Sequence, residues 1–196
     1  MTTIIHLIRH ASHDLLGRVL VGRAPVPISA TGLAEAAALG RRLADRPLAA
    51  VISSPQLRAQ QTAEAIAAHS GQAVTVDGAW DEIDFGAWTG LRFDVLQHDA
   101  GWQAFNSLRG FASIPDGETM LAAQARAVAS LLRLRLTWPD HEVAVVSHGD
   151  VLKSVLAHVL GMPLDFMRRV EVAPSSRSVV TLCHDSAIVQ AVNLRE

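Results

Sequence analysis

The chain has 196 residues, 49% of them apolar and 18% charged, which excludes a disordered chain and suits one well-buried domain over residues 1–196. Its formal net charge of −2 gives no general attraction to nucleic acid or to an anionic membrane, and its single cysteine, Cys183, excludes an internal disulfide framework. No basic segment with an apolar signal stretch opens the sequence and no apolar run is long enough to span a bilayer, so a cytoplasmic protein is expected.

Residues 3–8 form an apolar, β-branched run broken only by His6, and predict a short buried strand that stops at Arg9–His10. An alanine-rich helix is predicted over 30–45, followed by a second buried strand at 49–53. That strand runs into a helix for which Ser54 is the predicted N-cap and Pro55 the first helical residue. A third strand is read at 73–76, and a long helix at 117–137 with apolar positions Leu121, Ala125, Val128, Leu131 and Leu132 on one side, the side expected to face the core. The run EVAVVS at 142–147 is the clearest buried strand, and the helix after it closes at Gly161 and Pro163. The tail reads as a hairpin turning around residues 184–186.

Strands alternating with helices predict an α/β fold with a mainly parallel sheet covered on both faces, and ligands gather beyond the carboxyl ends of such strands. Arg9–His10, Ser54 with Arg58, and His148–Gly149 each follow a predicted strand, so they converge on one edge. The segment from 80 to 111 breaks the alternation and holds seven of the nine aromatic residues. It is read both as a satellite core and as an excursion that covers the site and supplies an acid.

Two arginines and two histidines at one sheet edge oppose a metal cation but suit a phosphate, whose oxygens match guanidinium forks. Phosphomonoester hydrolysis is so slow without catalysis that a nucleophile and a leaving-group acid are both expected. A neutral imidazole can be that nucleophile. Set against this, His10 alone would be an ordinary loop histidine, Arg9 and Arg58 could serve structural ion pairs, and His148 could cap the following helix. Glu82 has two acidic neighbours, Asp81 and Asp84, and any of the three could be simply solvated. His6, His10 and His13 invite a metal reading. On a strand, however, His6 and His10 would lie about 13 Å apart, too far to share one ion.

The segments LIRHA, SSPQLRAQQTA, DEIDFGAWTG and VVSHGD, in this order and spacing, resemble the histidine phosphatase superfamily in its phosphoglycerate mutase-like branch. GRAPVPISATG at 22–32 resembles a further family segment, and the similarity spans nearly the whole chain. The resemblance implies a three-layer α/β/α sandwich and chemistry without metal or cofactor. It makes His10 the phosphorylated nucleophile, Arg9, Arg58 and His148 the phosphoryl-binding groups, and Glu82 the proton donor. Three departures, Ala11 for the usual Gly, Ser12 for Glu or Asn, and Leu16–Gly17 near a family asparagine, fall in a loop that frames the organic part of the substrate.

The expected function is a metal-independent phosphomonoesterase acting on a small phosphorylated metabolite through a phosphohistidine. Phosphoglycerate mutase-type transfer is the alternative; the short chain favours hydrolysis. A non-catalytic phospho-ligand-binding regulatory domain is the reading from another class, and the presence of both His10 and Glu82 argues against it. The sequence leaves the oligomeric state open.

Overall fold

The computed structural model describes residues 2–195. In chain order the strands are β1 (Thr3–Arg9), β2 (Leu48–Ser53), β3 (Val74–Val76), β4 (Glu142–Ser147), β5 (Arg177–Leu182) and β6 (Ala187–Leu194). They form one sheet in the order β3-β2-β4-β1-β5-β6. The first four strands in that order run parallel, while β5 lies antiparallel on β1 and β6 antiparallel on β5. The closing hairpin turns where the Cys183 amide donates to the Ser186 carbonyl at 2.8 Å, at the predicted place.

Helices α1 (Ala30–Leu43) and α2 (Leu57–Ser70) lie on one face of this sheet. The short helices α3 (Phe93–Leu96) and α4 (Ala100–Ser107) belong to the aromatic excursion, and α5 (Met120–Thr137) and α6 (Gly149–Val159) cover the other face. Side chains alternate across a strand, so β1 sends Ile5 and Leu7 into the α5–α6 layer and Ile8 into the α1–α2 layer. The expected three-layer α/β/α sandwich with a mainly parallel sheet is the observed fold. No helix among the described residues is long and apolar enough to cross a membrane.

Two local expectations are corrected. Helix α2 begins at Leu57 and not at Pro55, and its N-cap position is Gln56; Ser54 instead turns its hydroxyl toward His148, 2.7 Å from Nε2. Helix α5 begins at Met120, where the Thr119 hydroxyl accepts the Ala122 amide, and it buries Ala123, Ala127, Ser130, Leu131 and Leu134. Leu121, Ala125 and Leu132, expected inside, are exposed, the two leucines by 53% and 47%. Apolar residues occur on two sides of this helix, so periodicity alone could not select the buried one.

Helix α1 starts on a capping hydroxyl, Ser29, which accepts the Gly32 amide at 3.0 Å, and ends with Arg41 and Arg42 against the negative end of its dipole. Its contact with α2 is close because Gly40 faces the Ala65 carbonyl, and a Cβ at position 40 would overlap that oxygen. Gly40→Ala is therefore expected to destabilise the fold by about 1–3 kcal/mol despite the better helix propensity of alanine. A lower urea midpoint with an unchanged slope is the expected result; an unchanged or higher midpoint would show that the helices separate at no cost.

His6 is a buried strand histidine, as read from the sequence: its Nε2 lies 2.7 Å from Glu142 and its Nδ1 3.1 Å from Arg177.

Candidate active site

The sheet order sets β2, β4 and β1 side by side, so their carboxyl ends form one continuous edge. Backbone hydrogen bonds knit this edge beyond the strands: His10 N donates to Ser147 O and Ser54 N to Val146 O, both at 2.9 Å. Arg9, His10, Arg58 and Glu82 line one cavity of about 440 Å³ there. His148 lies behind it with its ring centroid 5.1 Å from that of His10. All five residues singled out from the sequence are thus brought together.

His10 is 3% exposed, and its Nδ1 lies 2.8 Å from the Ala11 carbonyl. A carbonyl only accepts, so Nδ1 carries the proton and Nε2 keeps its lone pair. Burial pushes the His10 pKa well below 6.5, and the Arg58 and Arg9 charges push the same way. The ring is neutral. Its Nε2 accepts from Arg58 Nε at 3.3 Å.

Arg58 stands in the first turn of α2, fully buried. Its guanidinium donates to the Gly22 carbonyl at 2.7 Å and the Ala24 carbonyl at 3.2 Å, so the 22–24 segment fixes the fork's orientation. Its NH2 also lies 3.2 Å from His148 Nδ1. His148 accepts there, which leaves its Nε2 proton for the Ser54 hydroxyl; burial and the Arg58 charge hold this ring neutral as well. The alternative role for His148, as a cap of α6, is not seen: it occupies the N-cap position, but its side chain makes no capping hydrogen bond. Arg9 donates from NH1 to the Val172 carbonyl at 2.7 Å, while its buried Nε has no protein partner.

The three neighbouring acids separate cleanly. Asp81 accepts the Glu82 amide at 2.8 Å and the Gln56 amide at 2.7 Å, and so serves the turn. Asp84 faces Arg23 at the surface. Glu82 alone enters the cavity, with Oε2 3.6 Å from His148 Nδ1 and 3.9 Å from Arg58 NH2. Its backbone carbonyl is gripped from two sides, by Arg23 Nε at 2.9 Å and Arg126 NH2 at 3.2 Å, and both arginines are tied to Glu118. Burial raises the Glu82 pKa to about 7; Arg58 pulls it down and the Asp150 charge pushes it up.

This raised value has a stability consequence. The unfolded chain releases the Glu82 proton near 4.5 and the folded chain near 7, so the native advantage is full below about 4.5 and is lost as pH rises through 7. A glutamine carries no such dependence. Glu82→Gln is expected to gain up to about 3 kcal/mol relative to wild type between pH 4 and pH 8, less whatever solvent reaches this 14%-exposed side chain. Thermal melts at those two values check it, and parallel pH dependence of the two proteins would refute it.

The sequence reading did not find several residues of the cavity. Asp150 and Arg109 line it as a pair at 2.6 Å, with Arg109 stacked 4.2 Å over Phe105. Burial opposes ionisation of Asp150, but Arg109 outweighs it and holds the carboxyl below its usual range. His13 also lines the cavity, 6% exposed, held neutral by burial to a pKa of about 4. Lys153 and Arg168 complete its charged rim. Asp150 lies inside the quoted VVSHGD segment, and that was the one available signal; Arg109 carried none. Among the described residues, no group of three or more His, Cys, Asp or Glu side chains is placed to hold a metal.

The aromatic excursion packs as a satellite core and also reaches the cavity. Trp80, Phe85, Trp88 and Phe105 are buried in a cluster with edge-on contacts such as Trp88–Trp102 at 5.4 Å. Phe85, Phe93 and Trp102 also wall the cavity. Leu16 and Gly17 line it too, whereas Ser12 is turned away onto Glu35.

Residues 5–195 match the family model of the histidine phosphatase superfamily (branch 1). The chain is 30% identical over 180 residues to "Probable phosphoglycerate mutase GpmB" of Salmonella arizonae, covering 90% of this chain and 83% of that one. Among solved structures, YhfR of Bacillus stearothermophilus superposes with a TM-score of 0.91 at 26% identity over 96% of both chains. The alpha-ribazole phosphatase of Shigella flexneri superposes with a TM-score of 0.87 at 27% identity, covering 98% of this chain and 96% of that one. The cluster of imidazoles, guanidiniums and carboxylates at this sheet edge lies within that match, and a phosphatase or mutase enzyme is indicated. This chain belongs to the histidine phosphatase superfamily.

Proposed function

We propose that the protein is a metal-independent phosphomonoesterase that works through a phosphohistidine at position 10. The observation that carries this reading is the His10 ring: Nδ1 tied to the Ala11 carbonyl, Nε2 bearing its lone pair into a cavity between buried guanidinium groups. A phosphoryl group is bound by Arg58 and by the unpartnered Nε of Arg9, and by His148 once Arg58 turns from its Nδ1, the ring proton moves to that nitrogen and the Ser54 hydroxyl donates to Nε2. It displaces Arg58 from the His10 lone pair, and the lone pair then forms the N–P bond as the P–O bond to the leaving alcohol breaks. Glu82, protonated below its pKa of about 7, gives its proton to the departing oxygen. In the second half, water attacks phosphorus, Glu82 takes the proton, and the N–P bond breaks to release phosphate and neutral His10. No step uses a metal or cofactor.

The excursion at 80–111 covers this site and, with Leu16, frames the organic group of a small phosphorylated metabolite; the cavity is larger than phosphate alone. The alpha-ribazole phosphatase neighbour supports hydrolysis. The relative named as a phosphoglycerate mutase supports the second reading, in which the phosphoryl group returns to another oxygen of the same sugar acid. Incubation with 3-phosphoglycerate and a bisphosphorylated primer separates them. Release of inorganic phosphate is expected; interconversion of isomers without release would replace the first reading by the second.

A further inference from the structure

Four histidines are buried among the described residues: His6, His10, His13 and His148. Three of them have both ring nitrogens engaged by the protein. His6 meets Glu142 and Arg177, His10 meets the Ala11 carbonyl and Arg58, and His148 meets Arg58 and the Ser54 hydroxyl. His13 is the exception. It is 6% exposed, its buried Nδ1 has no hydrogen-bond partner, and its Nε2 bonds no other described residue. Buried polar atoms are ordinarily paired, and an orphan in the wall of a cavity marks a place where a ligand bonds.

The position of the ring narrows the ligand. His13 lines the cavity beside the nucleophile, its centroid 5.6 Å from that of His10 with the ring planes inclined at 35°, and the two rings do not bond each other. Burial acts most on His13, followed by the charges of Arg58 and Arg9, the two guanidiniums placed to hold a phosphoryl group. Together they outweigh Asp14 and keep the imidazole neutral, with a pKa of about 4. A neutral imidazole has one N–H and one lone pair, whereas a phosphoryl oxygen only accepts. The nitrogen turned toward such an oxygen must therefore carry the proton. No protein group fixes the tautomer of His13, so the proton is free to sit there.

We propose that His13 is a further catalytic residue: on the reading that His10 carries the phosphoryl group, the His13 ring donates a hydrogen bond to a non-bridging oxygen of that group, in the transition state and in the phosphohistidine alike. Charge on those oxygens is stabilised by donors already in place, which need no reorganisation as the P–O bond breaks. Arg9 and Arg58 bring positive charge from separate elements. His13 adds a neutral donor only three residues from the nucleophile, so one short stretch of backbone holds both. No proton leaves His13 in either half of the reaction.

The test reads the contact with inorganic phosphate and in turnover. In wild type labelled with ¹⁵N-histidine, saturating inorganic phosphate is expected to slow the exchange of one His13 ring proton and to move its two nitrogen resonances to those of a single hydrogen-bonded tautomer. His13→Ala removes a ring that bonds no protein group, so its melting temperature is expected to hold. Inhibition by inorganic phosphate should weaken about ten-fold or more in this variant, and kcat/KM should fall about 10²–10³-fold, by the same factor for a small and a large phosphomonoester. Unchanged inhibition and turnover in His13→Ala would overturn the proposal, as would a wild-type His13 signal indifferent to phosphate. A loss confined to large substrates, with phosphate inhibition intact, overturns it as well, since His13 would then serve the organic group. Acid-labile labelling of wild type is followed alongside. Its absence counts against the phosphohistidine itself, whereas labelling with a silent His13 counts against this inference alone.

Discussion

Replacing His10 with Ala is expected to abolish covalent labelling and to lower turnover by about 10⁴-fold or more, the scale on which covalent hydrolases lose activity when their nucleophile is removed. The structural reason is that His10 Nε2 is the unprotonated nitrogen of a ring whose tautomer is fixed from behind by the Ala11 carbonyl. The fold should survive. The ring is buried and neutral, and its loss leaves Arg58 still bonded to the Gly22 and Ala24 carbonyls. Rapid quench with a ³²P-labelled phosphomonoester, followed by acid and base treatment, reads the intermediate directly: phosphohistidine is acid-labile and base-stable. Wild-type turnover of an aryl phosphate by His10→Ala would remove the proposed mechanism altogether.

Glu82→Gln should divide substrates by their leaving groups. An alkyl phosphate needs a proton on the departing oxygen, and loss of a positioned general acid costs about 10²–10⁴-fold. An aryl phosphate with an acidic phenol leaves as the anion and should lose about ten-fold or less in the step that forms phosphohistidine, as its leaving group requires little help. Single-turnover measurements isolate that step. The pH profile gives a second reading. Glu82 must be protonated and His10 unprotonated, so kcat/KM in wild type should be sustained below pH 7 and fall above it as Glu82, with its pKa of about 7, ionises. His10, depressed well below 6.5, limits only the acid side. The alkaline limb should vanish in Glu82→Gln. Equal losses for alkyl and aryl substrates, with the limb intact, would assign the proton to another group.

Much of this site could be read from the sequence because its groups stand at the end of a strand or within a few residues after one. A run such as EVAVVS has only one place to be in a doubly covered sheet, and the residue following it must emerge at the edge. His10, Arg9, His148 and Arg58 were legible for that reason, and the motif spacing singled out Glu82 from its two acidic neighbours. The groups that escaped notice depend on how distant segments meet. Arg109 faces Asp150 only because the excursion folds back over the start of α6, and nothing local to either residue announces it. Ser54 read as a helix cap because serine before proline favours one; the actual preference of its hydroxyl is for His148, a partner 94 positions away. The buried side of α5 was misjudged because leucines and alanines are spread over both sides, and the structure gives the inner side to Ala123, Ala127 and Leu131.

The double grip on the Glu82 carbonyl has an evolutionary corollary. Arg23 and Arg126 anchor the Glu82 peptide through Glu118, independently of the helices that wall the cleft. Side chains on α3 and α4 can therefore be exchanged, lengthened or repacked while the acid keeps its coordinates relative to phosphorus. Under the proposed mechanism, choice of the organic group and delivery of the proton are thereby assigned to separate pieces of one continuous segment.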